Sequence, residues 1–175
     1  MSKWIFDPNH TEVGFKVKHL VISTVSGKFG SFEGSVEAKK KDFSDAKISF
    51  SVAINSVYTG QEQRDAHLKS ADFFNAEKYP QLLFVSSQLV PLKGNEYKLK
   101  GDLTIHGVTK PTELNVEFGG IQDDLYGQTI AGFEIEGKIK RSDFGLNWNA
   151  VTESGGLVVG DDVKIQVNAE LIKKD

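Results

Sequence analysis

Apolar and polar residues alternate along most of the chain with a period of two, the spacing that sends successive side chains to opposite faces of a strand. Val13, Phe15, Val17 and His19 share one face against Gly14, Lys16 and Lys18, and Ala46, Ile48, Phe50, Val52 and Ile54 oppose Lys47, Ser49, Ser51, Ala53 and Asn55. The same parity sets Tyr97, Leu99, Leu103 and Ile105 against Lys98, Lys100, Asp102 and Thr104, then Leu114, Val116 and Phe118 against Asn115 and Glu117. Phe133, Ile135 and Ile139 alternate with Glu134, Glu136, Lys138 and Lys140, and Val163, Ile165, Val167, Ala169 and Leu171 with Lys164, Gln166, Asn168 and Glu170. With further strands near Gly34 to Ala38 and Leu82 to Ser87, the pattern predicts about eight or nine half-buried strands.

Gly94-Asn95, Gly119-Gly120, Asp123-Asp124 and Gly155-Gly156 interrupt the alternation with residues that reach positive φ at little strain, and predict turns. No linker, repeat or low-complexity tract divides the chain, so residues 1–175 read as one domain. An antiparallel meander is the economical topology, closed as a barrel or folded as a sandwich. Residues 61–74 break the period of two. Spaced at 3.6 per turn, Arg64, His67, Leu68, Ala71 and Phe74 fall on one face, which predicts a short helix. Asp65 and Lys69 then form an i,i+4 pair of the favourable orientation.

The 175 residues carry a formal net charge of −3 with scattered lysines, which leaves no electrostatic reason to expect nucleic acid as a partner. The run Lys39-Lys40-Lys41 lies beside Asp42 and Asp45 and reads as a solvated turn. Absence of cysteine excludes disulfides, thiolate metal sites and a cysteine nucleophile together. His10, His19, His67 and His106 show no HxH or HExxH spacing, so no metal or cofactor is expected. The opening "MSKWIFDPNH" has no charged region followed by an apolar run. The expectation is a cytoplasmic protein, or a periplasmic one whose signal peptide has been removed.

Five stretches, "WIFDPNHTEVGFKVKHL", "GKFGSFEG", "TGQEQRDAHLKSADFFNAEKYPQLLFVSS", "GDLTIHGVTKP" and "IKRSDFGLNW", occur in that order from Trp4 onward. Together they resemble the YceI-like family, the polyisoprenoid-binding proteins of lipocalin-like fold. The resemblance implies an all-β chain, an antiparallel lipocalin-like β-barrel of about eight strands with one short helix near residues 61–74. It implies an interior that holds a long-chain isoprenoid or acyl lipid without chemistry, and a homodimer. Val158 and Val159, beside Gly155-Gly156, are apolar residues that could seal such an interface.

Strand parity and the resemblance together nominate as ligand-binding residues Phe15, Val17, Phe29, Phe32, Ile48, Phe50, Val52, Phe74, Phe84, Leu103, Ile105, Phe133 and Ile135. Periodicity by itself fits a dry packed core as well as an apolar tunnel. Arg64, Asp65, His67, Asp72 and Arg141 form a candidate polar mouth. Their roles divide between bracing a helix through ion pairs with Asp65, Asp72 or Asp143 and contacting a lipid headgroup. Arg141 follows Ile135 and Ile139 at even spacing, so it faces inward and needs a carboxylate, a hydrogen-bond network or a ligand oxygen. The alternative function is an enzyme acting on a prenyl or acyl lipid at the mouth. It lacks a GxSxG elbow and any oxyanion hole for Ser70.

Overall fold

The computed structural model describes residues 1–150 and 158–174. Eleven strands appear among them: β1 (Ser2–Phe6), β2 (Glu12–His19), β3 (Ser23–Phe29), β4 (Phe32–Ala38), β5 (Lys47–Ala53), β6 (Val57–Tyr58), β7 (Gln81–Pro91), β8 (Glu96–Ile105), β9 (Val108–Asp123), β10 (Thr129–Lys140) and β11 (Val159–Lys174). Every pairing is antiparallel, and eight strands close into a ring in the order β1-β4-β5-β7-β8-β9-β10-β11, with β11 returning to β1. A closed ring has no free edge to solvate or protect.

Strand β11 pairs with β10 along one edge and with two strands in succession along the other, β2 through Val159–Asn168 and β1 through Leu171–Lys174. Strands β1 and β2 are therefore two halves of one line broken at residues 7–11, and β3 and β4 repeat the break at residues 30–31. The β2–β3 hairpin thus rises above the ring. Its outer edge meets the short β6, which leads into the helix α1 (Glu62–Lys69).

At the lower end, the loop between β4 and β5 folds inward and places Phe43 among Trp4, Phe118 and Phe133, with ring centroids 5.0–5.4 Å away. Phe43 is 2% exposed and closes this end as an aromatic floor. The Asp45 carboxylate holds the loop by accepting the Lys39 and Lys40 N–H groups at 2.9 and 3.1 Å, and the Tyr97 hydroxyl donates to the Asp42 carbonyl at 2.8 Å. The Lys39-Lys40-Lys41 turn is accordingly a solvated, carboxylate-pinned loop. At the upper end, His106 and Gly107 form a two-residue turn with both φ positive, 55° and 73°, and Gly107 leaves room for the Tyr79 ring.

Two expectations need correcting. Helix α1 ends at Lys69, not Phe74, because Ser70 turns extended and its hydroxyl donates to the His67 carbonyl; the Phe74 N–H then returns to the Leu68 carbonyl. Gly119-Gly120 is no turn: both lie inside the sixteen-residue β9, beside a register shift at Gly132/Phe133 on β10, and the chain reverses later, around Asp124. Gly155-Gly156 lies outside the described residues.

The break between β1 and β2 leaves Glu170 of β11, paired with Gly132 on its other side, without a strand partner on this edge, and local groups supply one. The Asp7 N–H donates to the Glu170 carbonyl at 2.8 Å, while the Thr11 hydroxyl accepts from the Glu170 N–H at 3.1 Å. Asp7 in turn holds His10 at 2.8 Å. Its hydrogen bond to Asp7, helped by the charges of Glu170 and Asp7, raises the His10 pKa; the same bond lowers that of Asp7. The His10 contribution is complete below its unfolded value and fades as pH rises through its raised one. That of Asp7 is complete above its unfolded value and fades as pH falls through its lowered one. The stability difference between wild type and His10→Gln is therefore expected to be greatest at about pH 4–6.5 and to shrink on both sides. Urea unfolding across pH measures it, and a difference that keeps growing above neutrality contradicts the pairing.

Candidate functional site: an apolar cavity with a polar rim

Inside the ring lies a cavity of about 220 Å³. Twelve of the thirteen nominated side chains line it: Phe15, Val17, Phe29, Ile48, Phe50, Val52, Phe74, Phe84, Leu103, Ile105, Phe133 and Ile135. Phe32 does not. It is the first residue of β4, where β3 hands over, and its ring lies 5.7 Å from that of Phe50, which takes the lumen position. Leu68 and Phe73 from the helix region, Phe43 from the floor and Leu146 and Val159 from the rim also line the cavity. Strand parity missed Leu68, Phe73, Phe43 and Leu146 because turns and the helix bring them there, and Val159 because it stands at the very start of β11.

The interior is not a filled core. Val52, Leu99 and Phe43 are 1–3% exposed, but Phe15, Val17, Ile48, Phe50, Phe133, Ile135 and Ile165 face inward and remain only half-buried, because they border empty space. Two cross-strand pairs help keep that space open. Phe15 stands opposite Gly27 on β3, and Phe50 opposite Gly34 on β4. A Cβ on either glycine would overlap the facing ring, so the glycine lets the ring lie along the wall instead of across the lumen.

The polar rim is held by hydrogen bonds to the backbone and to Thr59. Arg64 donates through Nε to the Thr59 hydroxyl at 2.7 Å and through Nη2 to the Thr59 carbonyl at 2.6 Å. Buried Asp65 accepts from the Thr59 N–H at 2.9 Å and from its hydroxyl. Thr59, just before the helix, is therefore the residue that both charged side chains share. Asp65 faces Thr59 and makes no salt bridge to Lys69. Among the described residues Arg64 and Arg141 make no salt bridge to Asp65, Asp72 or Asp143, so the expected ion-pair brace is corrected to a hydrogen-bonded one. His67 meets Asp72 at 2.9 Å, on a rim where their side chains are 38% and 54% exposed, and its ring packs edge-on against Phe73 and Trp148.

Arg141 is 6% exposed at the head of the 3₁₀ turn Arg141–Phe144 and reaches the cavity, as its parity predicts. Its partners are carbonyl oxygens: Gly160 from Nε at 2.8 Å, Leu146 and Trp148 from Nη1 at 2.7 and 2.9 Å, and Val159 from Nη2 at 3.1 Å. Burial lowers its pKa, opposed by the charge of Asp161, which itself accepts from the Ser142 N–H and hydroxyl. Val158 and Val159 are half-buried; the Val158 carbonyl accepts from the Leu20 N–H at 2.8 Å, so the two valines are not the free apolar surface the sequence suggested.

The family model of the YceI-like domain matches residues 4–171. The chain belongs to the YceI-like family. A UPF0312 protein of Staphylococcus aureus strain MSSA476 is 37% identical over 171 residues, covering 97% of both chains. The crystal structure of the Campylobacter jejuni YCEI protein superposes with a TM-score of 0.76 at 36% identity, covering 97% of this chain and 96% of that one. A domain from Saccharophagus degradans described as polyisoprenoid-binding shares the fold, with a TM-score of 0.67 at 15% identity over 98% of both chains.

Among the described residues of this YceI-like barrel, Asp7, His10 and Glu170 are the His and carboxylate groups whose ligand atoms come within 4.8 Å of one another, and they lie at the β1–β2 break. Their hydrogen bonds satisfy the strand junction. On the rim, the Ser70 hydroxyl donates to the His67 carbonyl at 2.6 Å, so it is not held by the imidazole as a nucleophile would be. Arg141 ties the chain at 146–148 to the start of β11. Replacing it with Met keeps an apolar stem but leaves four carbonyls without their donor, and an expected loss of about 3 kcal/mol or more follows. Arg141→Lys, with a point charge and no planar fork, should recover less than half of it. A loss under about 1 kcal/mol in urea unfolding would mean that the guanidinium does not hold these segments together.

Proposed function

We propose that this YceI-like protein binds one long-chain apolar lipid, a polyisoprenoid, an isoprenoid quinone or a long acyl chain, inside the barrel, and stores or transports it without chemical change. The observation that carries this reading is the lining: among the described residues, Arg141 is the one polar side chain that reaches the cavity, and four of its N–H contacts already go to carbonyls. Such a wall offers a ligand area, not hydrogen bonds. Each buried methylene contributes about 0.8 kcal/mol, so chain length alone supplies affinity. The polyisoprenoid-binding description of the Saccharophagus degradans domain supports the same ligand class. Half-buried phenylalanines that border the lumen suit a branched, repeating hydrocarbon, since flat rings accept it in several registers.

Enlargement of the lining tests the reading. Val17→Phe and Phe50→Trp place extra atoms where the lipid would lie, so co-purified lipid, measured by organic extraction and mass spectrometry, should fall while thermal stability is kept. In a filled barrel the same changes cost about 1–3 kcal/mol. Destabilisation with unchanged lipid content would overturn the proposal, and so would a wild type that never yields lipid. Ser49→Ala, exposed on the outer face, serves as the control.

To separate carrier from enzyme, His67→Ala and Arg64→Ala should leave the mass of a bound prenyl or acyl lipid unchanged, as should the wild type. Conversion of an added lipid by wild type and not by His67→Ala, at equal binding, would show an enzyme instead.

A further inference from the structure

The β2–β3 hairpin ends in Leu20, Val21 and Ile22, between the closing pair His19 and Ser23. Val21 and Ile22 are 74% and 85% exposed and Leu20 is 38% exposed. Leu20 and Val21 also hold φ of 52° and 68°, a left-handed conformation that Gly, Asn or Asp adopts with little strain and a β-branched residue rarely does. The chain thus keeps bulky apolar residues where turn chemistry favours small polar ones. Nothing in the described structure covers them.

The outer wall below this tip is basic. Lys138 on β10, Lys164 on β11 and Lys16 on β2 stand in direct cross-strand register, an arrangement in which like charges repel. Lys18 and Lys140 lie nearer the tip on the same strands. Among the described residues the acidic groups of this end are fewer: Asp162 faces Lys140, Asp161 is engaged by Ser142, and Asp143 is exposed on the neighbouring turn. At about 3.3 Å per residue, the lysine row sits roughly 10 Å behind the closing pair. A segment lying in a bilayer interface buries its apolar side by roughly 5–10 Å, which brings these ammonium groups to headgroup level.

The opposite end of the barrel provides the contrast. Leu125 and Tyr126 are 98% and 87% exposed there, but they sit in a turn whose N–H groups are gathered by the Asp124 carboxylate beside Asp123. The carboxylates of Asp123 and Asp124 would oppose an anionic surface at that turn.

We propose that the β2–β3 tip is a membrane-docking element: Leu20, Val21 and Ile22 enter the interface of a bilayer containing anionic lipid while Lys16, Lys18, Lys138, Lys140 and Lys164 meet its headgroups. This deepens, and rests on, the lipid-carrier reading, because docking brings the rim residues Arg141 and Val159, at the same barrel end, close to the bilayer from which a chain would enter. The contact is shallow and therefore reversible, as a carrier requires. A second copy of the chain is a poorer occupant. Three side chains offer only a few hundred Å², against about 800 Å² per partner in a standard interface, and the lysine rows would oppose each other.

The test is flotation of the full-length protein with phosphatidylcholine vesicles, with and without phosphatidylserine, at low and high salt. The double variant Val21→Asn/Ile22→Asn suits it, since Asn tolerates the left-handed turn and should not weaken the fold. Wild type should partition to the phosphatidylserine vesicles, more weakly at high salt, and the double variant about tenfold less or worse. Lys16→Gln/Lys164→Gln should weaken the dependence on phosphatidylserine while keeping its thermal stability. Equal partitioning of wild type and tip variant overturns the proposal. So does an absence of vesicle binding accompanied by self-association that the tip variant abolishes in sedimentation. Lumen occupancy is measured on the same samples: vesicle binding by protein with no lipid in its cavity would sustain docking and refute the carrier reading, so the two fail separately.

Discussion

Strand β11 is the constraint on which the barrel depends. Sixteen residues of one strand serve β10 on one side and both β2 and β1 on the other, so a single register closes the ring and leaves the β2–β3 hairpin free to rise beyond it. Because side chains alternate strictly, the same register points Val163, Ile165, Val167, Ala169 and Leu171 into the lumen. A slip of one residue would turn lysines inward and leave the Glu170 peptide without Asp7 and Thr11. Closure, cavity and projecting hairpin are three results of one pairing.

Both ends of the lumen follow from how the ring is finished. Below, Phe43 is pressed into an aromatic cluster by a loop whose backbone is held on Asp45, and the cavity stops there. Above, no comparable plug exists among the described residues; Arg141, α1 and the residues after it form a rim held by hydrogen bonds to carbonyls and to Thr59. Charge at this rim is positioned by the backbone, which accounts for guanidinium groups that do without carboxylate partners. The arginines act as braces whose planar forks fit carbonyls presented from several directions.

The strands were legible in the sequence because alternation is a local consequence of the pleat, and twelve of the thirteen residues nominated by parity and the family resemblance line the cavity. Phe32 failed because parity gives the face and not the height, and it stands at a strand junction beside the ring of Phe50. Helical spacing ran through Phe74, but the Ser70 hydroxyl claims the His67 carbonyl and ends the helix, a competition visible only once the backbone is placed. Gly119-Gly120 misled for a related reason: two glycines permit a turn without requiring one, and a long strand on a curved barrel also uses them. The partners of Arg64, Asp65 and Arg141 were not legible, since carbonyls look alike in every sequence and Thr59 gains its role only when β6 delivers it to the helix.

The glycines facing Phe15 and Phe50 imply that the bore of this cavity is set partly by residues that stand behind its wall. A methyl group added on the far strand would tilt a ring inward and narrow the passage while every lining residue stayed the same. Relatives with identical inner walls could then differ in the width of the cavity. The bore of such a barrel is inherited through the neighbours of the wall as much as through the wall itself.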